Sequence, residues 1–326
     1  MSLNHPWDQG LDRRIAQSIA LMPMLPSVVN ELMALEADDE RYLEEVYRLA
    51  SLDPTLAVRI IEYAGRTIRV AEGRDRLHLR YAIARLGSRK IANLIISLSL
   101  VEAFPVKSEL DRALWIHSLQ VAVISRWLTG ITERGWTEQA YLAGLLHDIG
   151  RFIVFHSIPD VHAMIGDAGC SSPQSLMEAE FDVLGTNHVR IGASVCQAWD
   201  LPDSIAQVVE WHHRSELPGD TPEQQQHATR VAIIQIADAV SMHLMSHAVT
   251  TLREGEQEEV LEVGEERQRE AREACAAEIV QQVEQGYSRI SEHHKSCIIR
   301  RIPVLISIIE SETMRLVKGL QLELNE

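Results

Sequence analysis

Helical periodicity is the feature that most constrains this chain of 326 residues. Apolar residues recur every three to four positions in one segment after another, and no alternation typical of a β-strand lasts more than a few residues. Prolines and glycines lie mostly between these segments, where they can begin or end helices. The sequence therefore predicts an all-α protein built from amphipathic helices.

Composition excludes several classes of protein. A hydrophobic fraction of 46% and a charged fraction of 24% are typical of a soluble folded chain. The net charge of −16 argues against nucleic acid as a partner, because phosphates would be repelled by the overall field. The four cysteines form no CxxC pair. Neither a signal peptide nor a spanning stretch is recognisable, so we expect a cytoplasmic protein without a membrane partner.

The chain divides into three predicted regions. Residues 1–105 form an N-terminal helical region that ends at Pro105, residues 106–250 form a histidine-rich helical region, and residues 251–326 contain an acidic connector and C-terminal helices. The runs EGEQEE and GEERQRE are typical of a solvated helix or a flexible connector. The last helices could fold back on the core or mediate homo-oligomerisation, and the sequence does not choose between these alternatives.

Histidines and aspartates in the middle region fall where helices are predicted to face the core. His117 shares an apolar stripe with Leu114 and Val121, and the stripe continues to Ile124 and Leu128. A polar imidazole on a buried face must find a partner there. His147 and Asp148 are predicted to lie late in an apolar helix, one turn after Gly144. The sequence thus predicts several polar groups in one interior.

Three further segments add to this set. His188 follows Thr186, which is predicted to cap its helix, and His212 and His213 end the helix that begins at Pro202. Asp238 has Ile234 and Met242 one turn away on either side, so it is predicted to point inward. The candidate metal ligands are therefore His117, His147, Asp148, His188, His212, His213 and Asp238.

Imidazole and carboxylate are ligands for iron, manganese, nickel and zinc, so one or two such metals are expected. A carboxylate can bridge two metals while its neighbouring histidine binds one of them. Two metals about 3.5–4 Å apart can activate a water for attack on a phosphodiester. The alternative is a relict site in which the histidines are held by hydrogen bonds alone. No Gly-rich phosphate loop is present, and no organic cofactor is expected.

At these residues the chain resembles HDOD proteins, the HD-related output domains of bacterial signalling, within the HD superfamily of metal-dependent phosphohydrolases. The resemblance extends from about Leu21 to Met245. It rests on the segments MPMLPSVVNELMAL, LASLDPTLAVRIIEYA, YAIARLGSRKIANLIISLSL, AYLAGLLHDIGR, NHVRIGASVCQAWDLPDSI and VVEWHH. The resemblance implies a two-lobed all-α fold, in which an N-terminal helical lobe packs on an HD-like helical bundle.

The resemblance also implies a bacterial regulatory protein that acts through signalling partners, with an HD-type metal site retained. If the protein is instead a phosphohydrolase of this superfamily, His117, His147, Asp148 and Asp238 would hold one metal. A second metal beside Asp148 would be held by His188, His212 and His213. A sensor that binds a nucleotide or a cyclic dinucleotide without hydrolysing it is a further reading.

The alternative function is a metal-dependent phosphodiesterase related to the HD-GYP enzymes that hydrolyse cyclic di-GMP. Asp148 would then be catalytic, and Arg151 would contact the substrate phosphate. Two departures weigh against this function: RSELPGD follows His213 in place of the GYP motif, and Arg151 replaces a lysine. Arg151 could instead pair with Asp148 and compete with a metal.

Overall fold

The computed structural model describes residues 42–52, 54–67, 78–158, 160–165, 173–255, 290–322 and most of 270–284. In these ranges the regular structure is helical and no β-strand occurs, which confirms the predicted all-α class. The helices α1 to α14 are Tyr42–Leu52, Pro54–Thr67, Leu79–Leu86, Ser88–Ala103, Glu109–Thr132, Thr137–Leu146, Ile149–Ser157, Val161–Ile165, Pro173–Leu184, His188–Ala198, Asp203–Trp211, Pro222–Gly255, Glu292–Ile299 and Ile302–Gly319. Helical residues also occur between 270 and 284. The pair Asp53-Pro54 predicts a helix start, with a capping carboxylate followed by proline in the first turn. Pro54 does begin α2, and Asp53 lies outside the described residues.

The chain divides into two compact units. The first unit comprises residues 1–113, 150–201 and 314–326, and the second comprises residues 114–149 and 202–313. The predicted domain boundaries at 105 and 250 stay a prediction.

Helices α1 to α4 of the first unit form one cluster in which each helix packs against the other three. Apolar residues at helical spacing, such as Val46 and Leu49 on α1, are fully buried there. Gly87 joins α3 to α4 with a φ of 89°, a conformation that glycine adopts without steric cost. This single residue is therefore enough to connect the two helices.

The second unit places α6, α11 and α12 in mutual contact. Seven of the ten residues of α6, from Ala140 to Leu146, are buried, because the helix is apolar on all sides after its polar first turn. Arg230 on α12 binds Glu133 at the end of α5, with an N–O distance of 2.6 Å. These contacts hold together the four helices that carry or precede the candidate ligands of this unit.

The start of the last helix, α14, also packs within the second unit. Arg126 on α5 binds Glu312 on α14 with an N–O distance of 2.6 Å. Leu305, Ile306 and Ile309 are buried on the same helix. This part of the C-terminal region therefore folds back on the core, one of the two alternatives that the sequence leaves open. Among the described residues, none of the helices is long and apolar enough to cross a membrane.

Candidate metal centre

His117 lies in the middle of α5, on the face that the sequence predicts to be buried. Leu114, Val121, Ile124 and Leu128 are all at most 4% exposed, and His117 itself is 4% exposed. The predicted inward orientation is confirmed. Its Nδ1 lies 2.9 Å from the hydroxyl oxygen of Ser241 on α12, so this buried imidazole has a polar partner.

His147 and Asp148 form the two-residue turn between α6, which ends at Leu146, and α7, which begins at Ile149. The prediction that they lie within one helix is therefore wrong. At the end of α6 the last carbonyls have no helical partner, and His147 Nδ1 donates to the carbonyl oxygen of Gly144 at 2.8 Å. Asp148 is 3% exposed and His147 is 1% exposed.

Gly144 explains why α6 can approach α5 closely enough for the two histidines to meet. A Cβ atom at this position would lie 2.8 Å from the carbonyl oxygen of Val121 and 2.9 Å from the backbone of Ala122. Only glycine leaves room for this crossing. The Nε2 atoms of His117 and His147 are consequently 3.2 Å apart.

His212 immediately follows α11, where it repeats the arrangement of His147. Its Nδ1 lies 2.7 Å from the carbonyl oxygen of Val209, three residues earlier at the helix terminus. His212 is buried as predicted, whereas His213 is only half-buried. Their rings are 4.0 Å apart between centroids. Both histidines have a ligand atom within 4.8 Å of one on Asp148.

Asp238 on α12 completes the set in the second unit. Its Oδ1 lies 3.3 Å from His117 Nε2, and its side chain is 15% exposed. Ile234 is buried as predicted, but Met242 is 55% exposed. The inward direction of Asp238 is thus correct, although Met242 does not mark the buried face on which that prediction relied.

The spacing of these atoms fits a single metal. Ligand atoms about 2.0–2.2 Å from one metal, at angles of about 90–110°, lie about 2.8–3.6 Å apart. The distances from His117 Nε2 to His147 Nε2 and to Asp238 Oδ1 fall within that range. Asp148 Oδ2 lies slightly beyond that range, 3.7 Å from His147 Nε2 and 3.9 Å from His117 Nε2. The donor set of imidazoles and carboxylates therefore suits a divalent transition metal.

The second oxygen of Asp148 faces the other histidines. Asp148 Oδ1 lies 3.6 Å from His212 Nε2, whereas it is Oδ2 that approaches His117 and His147. A carboxylate whose two oxygens face two sets of ligands has the arrangement of a bridging ligand.

Burial and charge tune the ionisation of these groups. Burial lowers the pKa of His147 to about 4, although the charge of Asp148 opposes the shift. This imidazole is therefore neutral near pH 7, the form that binds a metal. Burial works against ionisation of Asp238, but its side-chain contact with His117 and the electrostatic effect of the two neighbouring imidazoles, His117 and His147, outweigh it. The pKa of Asp238 therefore lies below its usual range.

His188 belongs to the first unit and is held there by Glu180, a residue that the sequence interpretation missed. Both the Nδ1 and the backbone N–H of His188 donate to Glu180 Oε2, at 2.6 and 2.9 Å. Glu180 is 2% exposed and lies one turn before buried Leu184 on α9, a signal that could have revealed it. The helix cap is Asn187 and not Thr186 as predicted, since Asn187 accepts from the N–H of Arg190.

Arg151 is half-buried on α7, with its guanidinium 5.7 Å from the centre of the Phe155 ring. This places the cation over an aromatic face one turn further along the same helix. Its predicted contact with a substrate phosphate stays a prediction, as does the assignment of His188 as a metal ligand.

The described helices and their buried histidines define an all-α protein with a candidate metal centre, and the comparison with known families is specific. The HDOD domain model matches residues 22–215, more than half of the chain, so the chain belongs to the HDOD family. A relative from Treponema pallidum (strain Nichols) is an uncharacterised protein that is 23% identical over 202 residues. That match covers 61% of this chain and 39% of the relative, so the chain spans well under half of the relative's length.

Solved structures share the fold at low identity. A candidate phosphohydrolase from Shewanella amazonensis SB2B matches with a TM-score of 0.65 and 18% identity, over 94% of this chain and 98% of its own. An HDOD domain protein of unknown function from Geobacter sulfurreducens gives a TM-score of 0.59 and 21% identity, over 98% and 99%. A candidate signal transduction protein from Marinobacter aquaeolei VT8 matches with a TM-score of 0.63 and 17% identity, over 98% of this chain and 68% of its own.

Proposed function

We propose that this chain is a metal-binding HDOD regulatory protein that acts through signalling partners. The observation that carries the metal assignment is that His117, His147 and Asp238 have ligand atoms within 4.8 Å of one another, with both histidines buried and Asp238 half-buried. With Asp148 they would supply four ligands to one divalent transition metal. Iron, manganese, nickel and zinc all accept this donor set.

The chain's own residues prepare this position for a metal. His147 and His212 each donate Nδ1–H to a backbone carbonyl, which leaves the Nε2 lone pair as the ligand atom. The depressed pKa values of His147 and Asp238 keep one neutral and the other ionised near pH 7. A bound metal would supply Lewis acidity toward a phosphate oxygen or a water.

A regulatory role is supported by the sequence around the centre. RSELPGD follows His213, and Arg151 stands where the phosphodiesterases have lysine. A protein that has kept the ligands but lost the substrate-binding motifs could use a metal to hold its helices together. The partners we propose are signalling proteins, a nucleotide or a cyclic dinucleotide, and a second copy of the chain bound through the C-terminal helices.

The test is elemental analysis of protein purified without chelators, compared with Asp148→Ala. We expect about one equivalent of a transition metal in the parent if one position is filled, and about two if Asp148 bridges. The variant should lose most of that metal. Asp182→Ala, a change at an exposed aspartate of α9, should retain it. A parent without metal would overturn the proposal and leave a hydrogen-bonded relict site.

The second candidate function is a metal-dependent phosphohydrolase. The observation that favours it is Asp148, whose two oxygens face His147 and His212 separately. One carboxylate could then bridge two metals, with His212 and His213 as further ligands of the second. Hydrolysis of bis(p-nitrophenyl) phosphate and of cyclic di-GMP by metal-loaded protein tests this function. Turnover that is lost in Asp148→Ala would support it, and no turnover in the metal-loaded parent would exclude these substrates.

A further inference from the structure

A buried chain of hydrogen bonds lies behind His117, on the side away from the candidate metal position. His117 Nδ1 is 2.9 Å from Ser241 Oγ, and Ser241 Oγ is 2.7 Å from Gln120 Oε1. Ser241 is fully buried and Gln120 is 9% exposed. All three residues belong to the second unit, with His117 and Gln120 on α5 and Ser241 on α12.

The donors and acceptors in this series of hydrogen bonds follow from the chemistry of Gln120, its last residue. Gln120 Oε1 is a carbonyl oxygen and can only accept, so the hydroxyl of Ser241 donates its single proton to it. Ser241 Oγ then has only lone pairs to offer His117. His117 Nδ1 must therefore carry a proton and donate it, which leaves Nε2 as the ring nitrogen that faces Asp238 and His147.

His117 needs this arrangement because of its place in a helix. His147 and His212 follow the ends of α6 and α11, where backbone carbonyls without helical partners accept their Nδ1 protons. His117 lies in the middle of α5, where the carbonyls already accept hydrogen bonds within the helix. Its orienting partner must come from a side chain, and α12 supplies it.

One helix therefore contacts both nitrogens of the His117 ring. Asp238 and Ser241 are three positions apart on α12 and share a face of the helix. Asp238 Oδ1 lies 3.3 Å from Nε2, while Ser241 Oγ lies 2.9 Å from Nδ1. The ring is held between the two, and its tautomer is set by the partner on the far side from the ligands.

We propose that Ser241 and Gln120 are positioning residues that hold the Nδ1 proton of His117 and so present Nε2 to a metal. This inference rests on the proposed metal site and adds two residues that neither touch the metal nor share its ligand chemistry. Loss of such an outer hydrogen bond lowers metal affinity about 10–100-fold.

The test measures Zn²⁺ affinity of the full chain by competition with a chromophoric chelator. Ser241→Ala and Gln120→Met remove the two links, and both should weaken the binding of Zn²⁺ about 10–100-fold. Gln120→Glu tests the direction of the hydrogen bond between Ser241 and residue 120, because a carboxylate can accept from Ser241 but cannot donate to it. This variant should bind Zn²⁺ nearly as well as the parent. Ser125→Ala is the matched control, because Ser125 is a fully buried serine of α5 whose hydroxyl has no hydrogen-bond partner in the described structure.

A second readout separates this proposal from the metal site itself. NMR of protein with ¹⁵N-labelled histidine should show a proton on His117 Nδ1 in the parent, in Gln120→Glu and in Ser125→Ala, with or without Zn²⁺. Ser241→Ala should lose that signal in the absence of Zn²⁺. If Ser241→Ala fails to fold, the difference in Zn²⁺ affinity between Gln120→Met and Gln120→Glu decides whether the hydrogen bonds position His117.

The outcomes are distinct. Equal Zn²⁺ affinity in Ser241→Ala, Gln120→Met and Ser125→Ala would overturn the positioning role while leaving the metal site in place. A parent that binds no Zn²⁺ would overturn the proposed function, and the Nδ1 signal alone would then decide whether the hydrogen-bond chain holds the tautomer. Absence of that proton in the parent would overturn the inference in either case.

Discussion

The imidazole of His147 shows how burial converts an ordinary side chain into a ligand. Because burial lowers its pKa to about 4, the folded protein holds it neutral at pH values where the unfolded chain, with a histidine pKa near 6.5, already binds a proton. The folded state therefore loses stability relative to the unfolded state as the pH falls from about 6.5 to about 4. Below about pH 4, His147 causes no further loss of stability.

We predict that chelator-treated protein loses about 3 kcal/mol of unfolding free energy across this window through His147 alone. Urea unfolding at pH 7 and at pH 4.5 measures the loss. In His147→Gln the free energy of unfolding should fall clearly less between pH 7 and pH 4.5. His293→Gln, a change at an exposed histidine, should show the same fall as the parent. Identical profiles for all three proteins would contradict the prediction.

Cys196 is a second residue whose chemistry follows from burial. It is fully buried, and the loss of hydration raises the pKa of its thiol to about 12, so almost no thiolate exists near pH 8. We predict that iodoacetamide modifies Cys297, which is only half-buried, well before Cys196 in the folded protein. Peptide mapping by mass spectrometry measures the two rates, and equal rates in urea provide the control. Faster modification of Cys196 in the native protein would refute this assignment.

At the scale of the helix, the crossing of α5 and α6 depends on Gly144. A methyl group there would overlap backbone atoms of Val121 and Ala122, which cannot rotate away as a side chain could. We predict that Gly144→Ala lowers the unfolding free energy by about 1–3 kcal/mol and weakens metal binding, because His147 would move away from His117. Urea unfolding and Zn²⁺ titration measure the two effects.

Gly130 provides the matched control on α5. A Cβ atom at Gly130 meets nothing within 4 Å, so Gly130→Ala should be neutral or should stabilise the helix by about 0.5–1 kcal/mol. If both alanine variants proved equally stable, the close approach at Gly144 would not be needed for the fold.

Periodicity predicted the helical class and the buried stripe of His117, since both depend on spacing along one helix. It placed His147 and Asp148 inside a helix because apolar residues continue from α6 into α7, and spacing alone does not reveal a two-residue turn. Ser241 and Glu180 escaped notice for a different reason. Their roles depend on partners in other helices. A lone serine carries no signal of such a partner, and the spacing of Glu180 from Leu184 indicates a buried face but not the histidine that Glu180 binds.

At the scale of the molecule, the candidate ligands of the second unit come from distant parts of the chain. His117, His147, His212 and Asp238 lie on or directly after four different helices, so a metal would add a link between segments that are otherwise held by packing and a few polar contacts. Ligand binding that is specific to the folded state stabilises it by about 2.7 kcal/mol when the free ligand exceeds its Kd 100-fold. A metal should therefore change the stability of the whole second unit.

We predict that saturating Zn²⁺ raises the free energy of unfolding by about that amount and slows hydrogen exchange in α5, α6, α11 and α12 together. Helices α1 to α4 contain none of the proposed ligands and should change less. Asp148→Ala is the control, because removal of the carboxylate that faces both sets of histidines should abolish most of the Zn²⁺-dependent increase. Should Zn²⁺ stabilise that variant as much as the parent, the stabilising metal must bind elsewhere. Protection confined to one of the four helices would show that the metal does not join them.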